Sequence, residues 1–309
     1  MAYEVFLRRE QGDLSLDDFL DFFSKRNKYR VDGKQVLYEN EDTGVGFCFS
    51  YCHESGDDKP SVQPDGVYQI MLSVEYCQPT FFFVEALYEL YDLVQNHDFV
   101  VYDPQLGKSF IQKPLDDKAM FDSWMRFNID AVYEYMASLG ADVLDMPVMP
   151  YDTIRGVWEW NYNIERLRNE LGEHIQIPCI LPVEYEGSDL TAVVWREDRG
   201  IAVPWVDLVI FVRGEDGAAL LGNTEEKSEF CIVDFDQVRL LIDQYSQKNF
   251  ADAFILDYEV VPEGVTDFIR SLDPSEGFTL MDMCDVLEFE IVEEVAVPGS
   301  HSDMYGDRG

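Results

Sequence analysis

The groups able to do chemistry in this chain are overwhelmingly carboxylates. Asp and Glu number 61 among 309 residues, against 23 Lys and Arg and four His. Asp207 opens the apolar run VDLVIFVR, and Asp234 and Asp236 flank the end of FCIVDF. Strand ends are where α/β sheets gather their active sites. Three carboxylates brought together there could hold a divalent metal for hydrolysis. Such enzymes act on polyanions and keep cations beside the metal, yet residues 200–250 supply only Arg213, Lys227, Arg239 and Lys248.

Cys48, Cys52 and His53, with Cys77, raise a zinc reading, because zinc-binding cysteine pairs lie about two to four residues apart. Against it, VGFCFSYC alternates as a strand and puts Cys48, Ser50 and Cys52 on one face. Cys179, Cys231 and Cys284 also sit in apolar contexts, so reduced, metal-free thiols are expected throughout. His97 and His174 fall at helix ends, where a cation offsets the helix dipole, while His53 and His301 lie in a loop and a tail. The sequence carries no phosphate loop, dinucleotide fingerprint, HExxH, GxSxG or CxxC. No cofactor is expected.

Charge is the dominant feature: −38 overall, with a pI near 4.1. Residues 1–150 hold 27 acids and 12 bases, and residues 151–309 hold 34 and 11. From Ser271 to Asp307 there are ten acids and neither Lys nor Arg. A field of this sign repels nucleic acid and anionic membranes. It draws in a basic partner and speeds the encounter. Read as a strand, VLEFEIVEE places Glu288 and Glu290 on one face and Leu287, Phe289 and Ile291 on the other. Asp282, Asp285, Glu288, Glu290, Glu293 and Glu294 are therefore the expected docking surface for a basic protein. The one cationic cluster, Lys25, Arg26, Lys28, Arg30 and Lys34, begins at a helix end, where positive charge offsets the dipole; otherwise it would meet an acidic face.

These features lead to an expected cytoplasmic, non-catalytic binding protein, of inhibitor or immunity type, that neutralises a basic partner such as a toxin. The alternatives are a metal-dependent hydrolase with a carboxylate site in the C-terminal domain, and a nucleic-acid mimic that blocks a DNA-binding protein. No apolar run nears the roughly eighteen residues that span a bilayer, and MAYEVFLRRE lacks a signal-peptide layout. Oligomeric state is left open.

The elements that must position these groups follow from periodicity. Strands are expected at 3–9, at 29–39, at 45–52 and in VYQIMLSVEY. Ser15 opens a helix carrying Leu16, Phe19, Leu20 and Phe23. Pro79 opens a second helix, with Val84, Leu87, Tyr88, Tyr91 and Val94 inward, and DFVVYD follows as a strand. The order β-α-β-β-β-α-β resembles a ferredoxin-like two-layer domain over 1–114, a likeness of fold that carries no function. A polar loop spans 53–66 and a linker 104–115.

Residues 115–150 read as a spacer helix from Asp117 to Leu139 and a second linker. Residues 151–295 read as a mixed α/β domain, and 296–309 as a flexible tail. Overall the chain reads as α+β. In the second domain, Trp158 and Trp160 lie at the edges of a broad apolar arc on one helix over 154–171. They are expected to clamp that helix between the sheet and the spacer helix, the alternative being a Trp-lined groove. VDLVIFVR reads as a central strand buried on both faces.

Overall fold

The structure, a computed structural model, describes residues 2–52, 61–63, 66–110, 117–139, 147–196, 198–213, 229–246, 248–250, 253–258, 260–275 and 277–296. It is a mixed α/β chain divided into two compact units, one of Met1–Tyr151 with Met283–Gly309, the other of Asp152–Asp282.

The first unit begins with β1 (Ala2–Arg9), α1 (Leu16–Ser24), β2 (Tyr29–Asp32), β3 (Gln35–Asn40) and β4 (Val45–Tyr51). It continues through β5 (Ser61–Gln63), β6 (Gly66–Tyr68), β7 (Ile70–Glu75), α2 (Thr80–Asn96), β8 (Phe99–Asp103) and β9 (Lys108–Phe110). α3 (Asp117–Leu139) and β10 (Val148–Met149) follow. Seven strands form an antiparallel sheet in the order β2-β3-β4-β7-β1-β8-β9.

Register places Tyr3, Val5 and Leu7 opposite Val74, Leu72 and Ile70, all buried. Both helices cover that face. Phe19 of α1 meets Tyr51 at 5.6 Å, Phe23 meets Phe49 at 4.9 Å, and Phe83 of α2 meets Tyr3 edge-on at 5.2 Å. Phe83 also stacks on Trp124 of α3 at 5.1 Å. The high aromatic content is thus spent on edge and stacked ring contacts inside the core.

The Ser15 cap forms as expected: its side chain accepts from the Asp18 N–H. Two expectations change. The single strand at 29–39 is a hairpin that turns at Gly33, whose φ of 61° suits a residue without a Cβ. Residues 104–110 are no linker; they form the β8–β9 turn and an edge strand. On α2, Leu87 and Val94 are buried but Tyr88 and Tyr91 are about half exposed, because the helix turns Phe83, Leu90 and Leu93 inward. Of the loop expected at 53–66, residues 61–63 and 66 lie instead in the paired strands β5 and β6, while 53–60 and 64–65, with 111–115 of the expected linker, lie outside the described residues.

The second unit runs through α4 (Tyr151–Tyr162), whose first residue belongs to the first unit, and α5 (Ile164–Leu171). Then come β11 (Ile175–Gln176), β12 (Ile180–Tyr185), β13 (Ser188–Arg196), β14 (Gly200–Val203), β15 (Leu208–Arg213) and β16 (Glu229–Asp234). α6 (Phe235–Tyr245), β17 (Lys248–Phe250), β18 (Ala253–Leu256), α7 (Glu263–Ser271) and β19 (Thr279–Leu280) complete it. One sheet is ordered β16-β15-β13-β12-β19 and the other β11-β14-β18-β17.

β15 is interior as expected, with Leu208 to Val212 all buried. The helix expected over 154–171 breaks at Asn163 into α4 and α5. Trp158 and Trp160 are both buried, and the Trp160 Nε1–H donates to the Pro178 carbonyl at 2.8 Å. Beside them, buried Asn161 acts like a strand partner. Its Nδ2 donates to the Ile180 carbonyl at 3.0 Å, and its Oδ1 accepts from the Ile180 N–H at 2.8 Å. One side chain thereby pins α4 to β12.

The chain then returns to the first unit as β20 (Leu287–Glu288) and α8 (Phe289–Ala296). The second unit therefore ends at Asp282, and α3 falls within the first unit. β20 pairs in parallel with β10, while Leu287 and Ile291 pack against Val132 of α3. The tail beyond 296 lies outside the described residues.

Asn161→Ala should orphan both buried backbone groups of Ile180 and cost about 1–3 kcal/mol. Urea unfolding followed by tryptophan fluorescence would check this; an unchanged midpoint would contradict it.

Candidate functional site

The strand expected over VLEFEIVEE is present only at Leu287–Glu288, and Phe289–Ala296 is a helix. Alternation of acids and apolar residues therefore does not sort them onto two faces. Leu287 of the strand and Ile291 of the helix both turn inward and cluster with Val132. Phe289 is 45 % exposed.

Glu288 is buried rather than displayed, and the reason lies at the start of α2. Pro79 stands at the N-cap and offers no side-chain acceptor. The Thr80 N–H and hydroxyl instead donate to Glu288 Oε1, at 2.7 and 2.5 Å. A carboxylate at a helix N-terminus also meets the positive end of the dipole. Asn128 of α3 secures the preceding turn. Its Oδ1 accepts from the Cys77 N–H at 2.7 Å, and its Nδ2 donates to the Gln78 carbonyl at 2.9 Å.

Of the other expected docking acids, Asp285 and Glu290 are exposed on the first unit, and Glu290 accepts from the Tyr151 N–H at 2.9 Å. Asp282 is exposed on the second unit. Glu293 and Glu294 fall on α8, with side chains outside the described residues.

The carboxylates expected near strand ends do not converge on a metal. Among the described residues no group of three His, Cys, Asp or Glu could hold one. Asp207 Oδ2 accepts from the Thr191 N–H and hydroxyl at 2.8 and 2.7 Å, bracing the entry to β15. Asp234 precedes α6 without capping it, and Asp236 lies exposed in its first turn. None of the six cysteines is joined in a disulfide. Burial pushes the Cys48 and Cys77 thiols up, which keeps them protonated and poor nucleophiles. His97 lies 3.6 Å from Asp92, and His174 lies 3.3 Å from Asp257. His53 and His301 are outside the described residues. Members of the basic cluster pair within the chain: Arg26 with Glu89 and Asp92 of α2, each at 2.8 Å, and Arg30 with Glu39 at 2.7 Å.

A concavity lies in the second unit. It is an open cleft of about 550 Å³, within the range of ligand sites. One wall is α4, with Asp152, Gly156, Glu159 and Trp160. The facing wall is the segment entering β15, with Trp205 and Asp207. Trp205 is 53 % exposed although it packs on Phe235 and Phe254, each at 5.1 Å. The two expectations for the Trp158–Trp160 pair meet here, since Trp160 is buried and still contributes to a cleft wall. Trp205 escaped sequence reading because PWVD has no periodicity; a Trp beside a Pro at a strand entry was the available signal.

No family model matches the chain, and neither a curated protein nor a solved structure is similar to it. Among the described residues no helix is long and apolar enough to cross a membrane.

Burial raises the Glu288 carboxyl above its ordinary value; the Thr80 hydrogen bonds oppose this and the Glu290 charge adds to it. The folded chain therefore binds this proton more tightly than the unfolded chain, and its contribution to stability rises as pH falls through that window. Glu288→Gln keeps the acceptor for Thr80 and loses the charge. It should be at least as stable as the parent near neutrality, with the difference shrinking on acidification. Glu288→Ala should cost about 1–3 kcal/mol by orphaning the Thr80 N–H. Unfolding curves across pH decide the matter, and a parent–Gln difference independent of pH would count against it.

Proposed function

We propose that the protein is a non-catalytic acidic binding protein of inhibitor or immunity type, acting on a basic protein partner such as a toxin. The observation that carries this reading is the net charge of −38, spread over both halves of the chain. Several of its cations pair with acids of the same molecule. Arg26 and Arg30 close on the chain's own acids, and the helix pairs Lys25–Asp21, Arg155–Glu159 and Arg166–Glu170 do the same. Such surface pairs contribute little to stability. They nonetheless leave the unmatched acids to set the outward field. Asp282, Asp285 and Glu290 are exposed members of that excess, and Glu288 is withdrawn from it as a cap.

The first unit supports a ferredoxin-like reading in its inner strands, β4-β7-β1-β8, with α1 and α2 as the crossovers. That fold-level likeness adds nothing to function.

A cationic partner should be captured from the native host at low salt and lost as screening shortens the field to roughly 8 Å at physiological ionic strength. Reversing Asp285, Glu290, Glu293 and Glu294 to Lys should slow its association far more than it speeds its dissociation. A captured partner that is itself acidic, or an association rate indifferent to salt and to the four reversals, would sink the reading.

A further inference from the structure

The cleft of the second unit contains a residue that its own fold does not require. Gly156 sits in the interior of α4, where glycine is less stable than alanine. Its φ is not left-handed, and a Cβ built on it would meet nothing within 4 Å. Neither backbone conformation nor packing therefore asks for glycine. Its effect is to leave the α4 wall of the cleft open one helical turn before Trp160 and one after Asp152, all on the same stripe.

Across the cleft stands Trp205, exposed despite its aromatic neighbours. Exposed tryptophans in concave sites are the residues that anchor protein partners. The ring already takes a guanidinium: Arg239, which does not line the cleft, lies 5.4 Å from its centroid. The carboxylates of Asp152, Glu159 and Asp207 line the same space; Glu159 is paired with the exposed Arg155 at 2.8 Å, and Asp207 accepts from Thr191 through Oδ2 alone. Among the described lining residues Arg166 is the one cation, and it is held by Asn163 and Glu170 at 3.1 and 3.3 Å.

We infer that this cleft seats an arginine-bearing segment of the cationic partner, with the guanidinium directed to the carboxylates and its stem laid along Trp205 and the bare α4 wall. The inference rests on the proposed function for the identity of the partner, and on the cleft's own geometry for the place.

The probe is a short acetylated Arg-Gly-Arg amide, with the citrulline peptide as its uncharged isostere. In titrations at low salt, the arginine peptide should perturb tryptophan fluorescence and the citrulline peptide should not. Gly156→Leu and Gly156→Lys fill the open wall with good helix formers, and both should melt no lower than the parent. Each should weaken the arginine peptide at least about tenfold, as expected for blocking a central pocket. Gly156→Ala should keep most of the binding and melt higher. Equal binding of the peptide to parent and to both filled variants, or no binding to any, would overturn the cleft as a site. The two readings separate in a parallel measurement on the full chain. A salt-sensitive cationic partner held equally by parent and Gly156→Leu leaves the proposed function standing and removes the cleft. A peptide seated in the cleft, with no such partner captured, does the reverse.

Discussion

Three carboxylates lie buried among the described residues, and the hydrogen bonds that receive them tie the first unit together. An isolated buried charge is costly unless it is hydrogen-bonded. Glu85, 1 % exposed on α2, receives Tyr38 and Asn40 at 2.5 Å each and the Thr43 hydroxyl at 3.1 Å. Asp103 receives the Tyr3 hydroxyl and the N–H groups of Gln105 and Leu106. Glu288 receives Thr80 twice. In each case hydroxyl, amide or backbone donors do what Lys or Arg does elsewhere. Each such carboxylate also joins distant parts of the chain: α2 to the β3–β4 hairpin, β8 to β1, and the returning C-terminal segment to α2. The buried acids are thus fasteners, and their removal disturbs topology as well as charge.

This explains which parts of the structure sequence reading could reach. Local signals worked where one element sufficed. Ser15 caps α1, the turn around Gly44 joins β3 to β4, and VDLVIFVR is interior. Reading failed where a tertiary partner decided the outcome. LEFEIVEE has a fair alternating pattern, yet a helix wins, because Ile291 can reach Val132 of α3 while Glu288 reaches Thr80, far away in the chain. The burial of Glu288 had no local signature, since nothing near it announces that α2 begins at a proline with no cap of its own. The hairpin at Gly33 was legible in Asp32-Gly33, a common turn pair, but was masked by the apolar residues on both sides. The cleft was half legible: the Trp158–Trp160 pair raised a groove, and only the fold brings Trp205 opposite it.

Charge and cleft do different physical work. A diffuse negative field acts over distance, raising the rate at which a cation arrives while leaving its final position undetermined. By itself it sorts partners by charge and not by shape. A concave site with one exposed aromatic and a few oriented carboxylates acts only at contact, and mostly by slowing departure. In this chain the long-range term comes from both halves, whereas the short-range features are gathered on the second unit around α4 and the entry to β15. The same Asp207 that braces Thr191 contributes to the cleft, so the wall is held by hydrogen bonds belonging to the sheet. Asn161 fixes the opposite wall through Ile180. A site built on such supports is pre-organised, and a partner need not supply the free energy to order it. The helix bearing Gly156 gives up a little intrinsic stability to stay bare, and the backbone lock one turn and a residue later, at Asn161, keeps that helix in place.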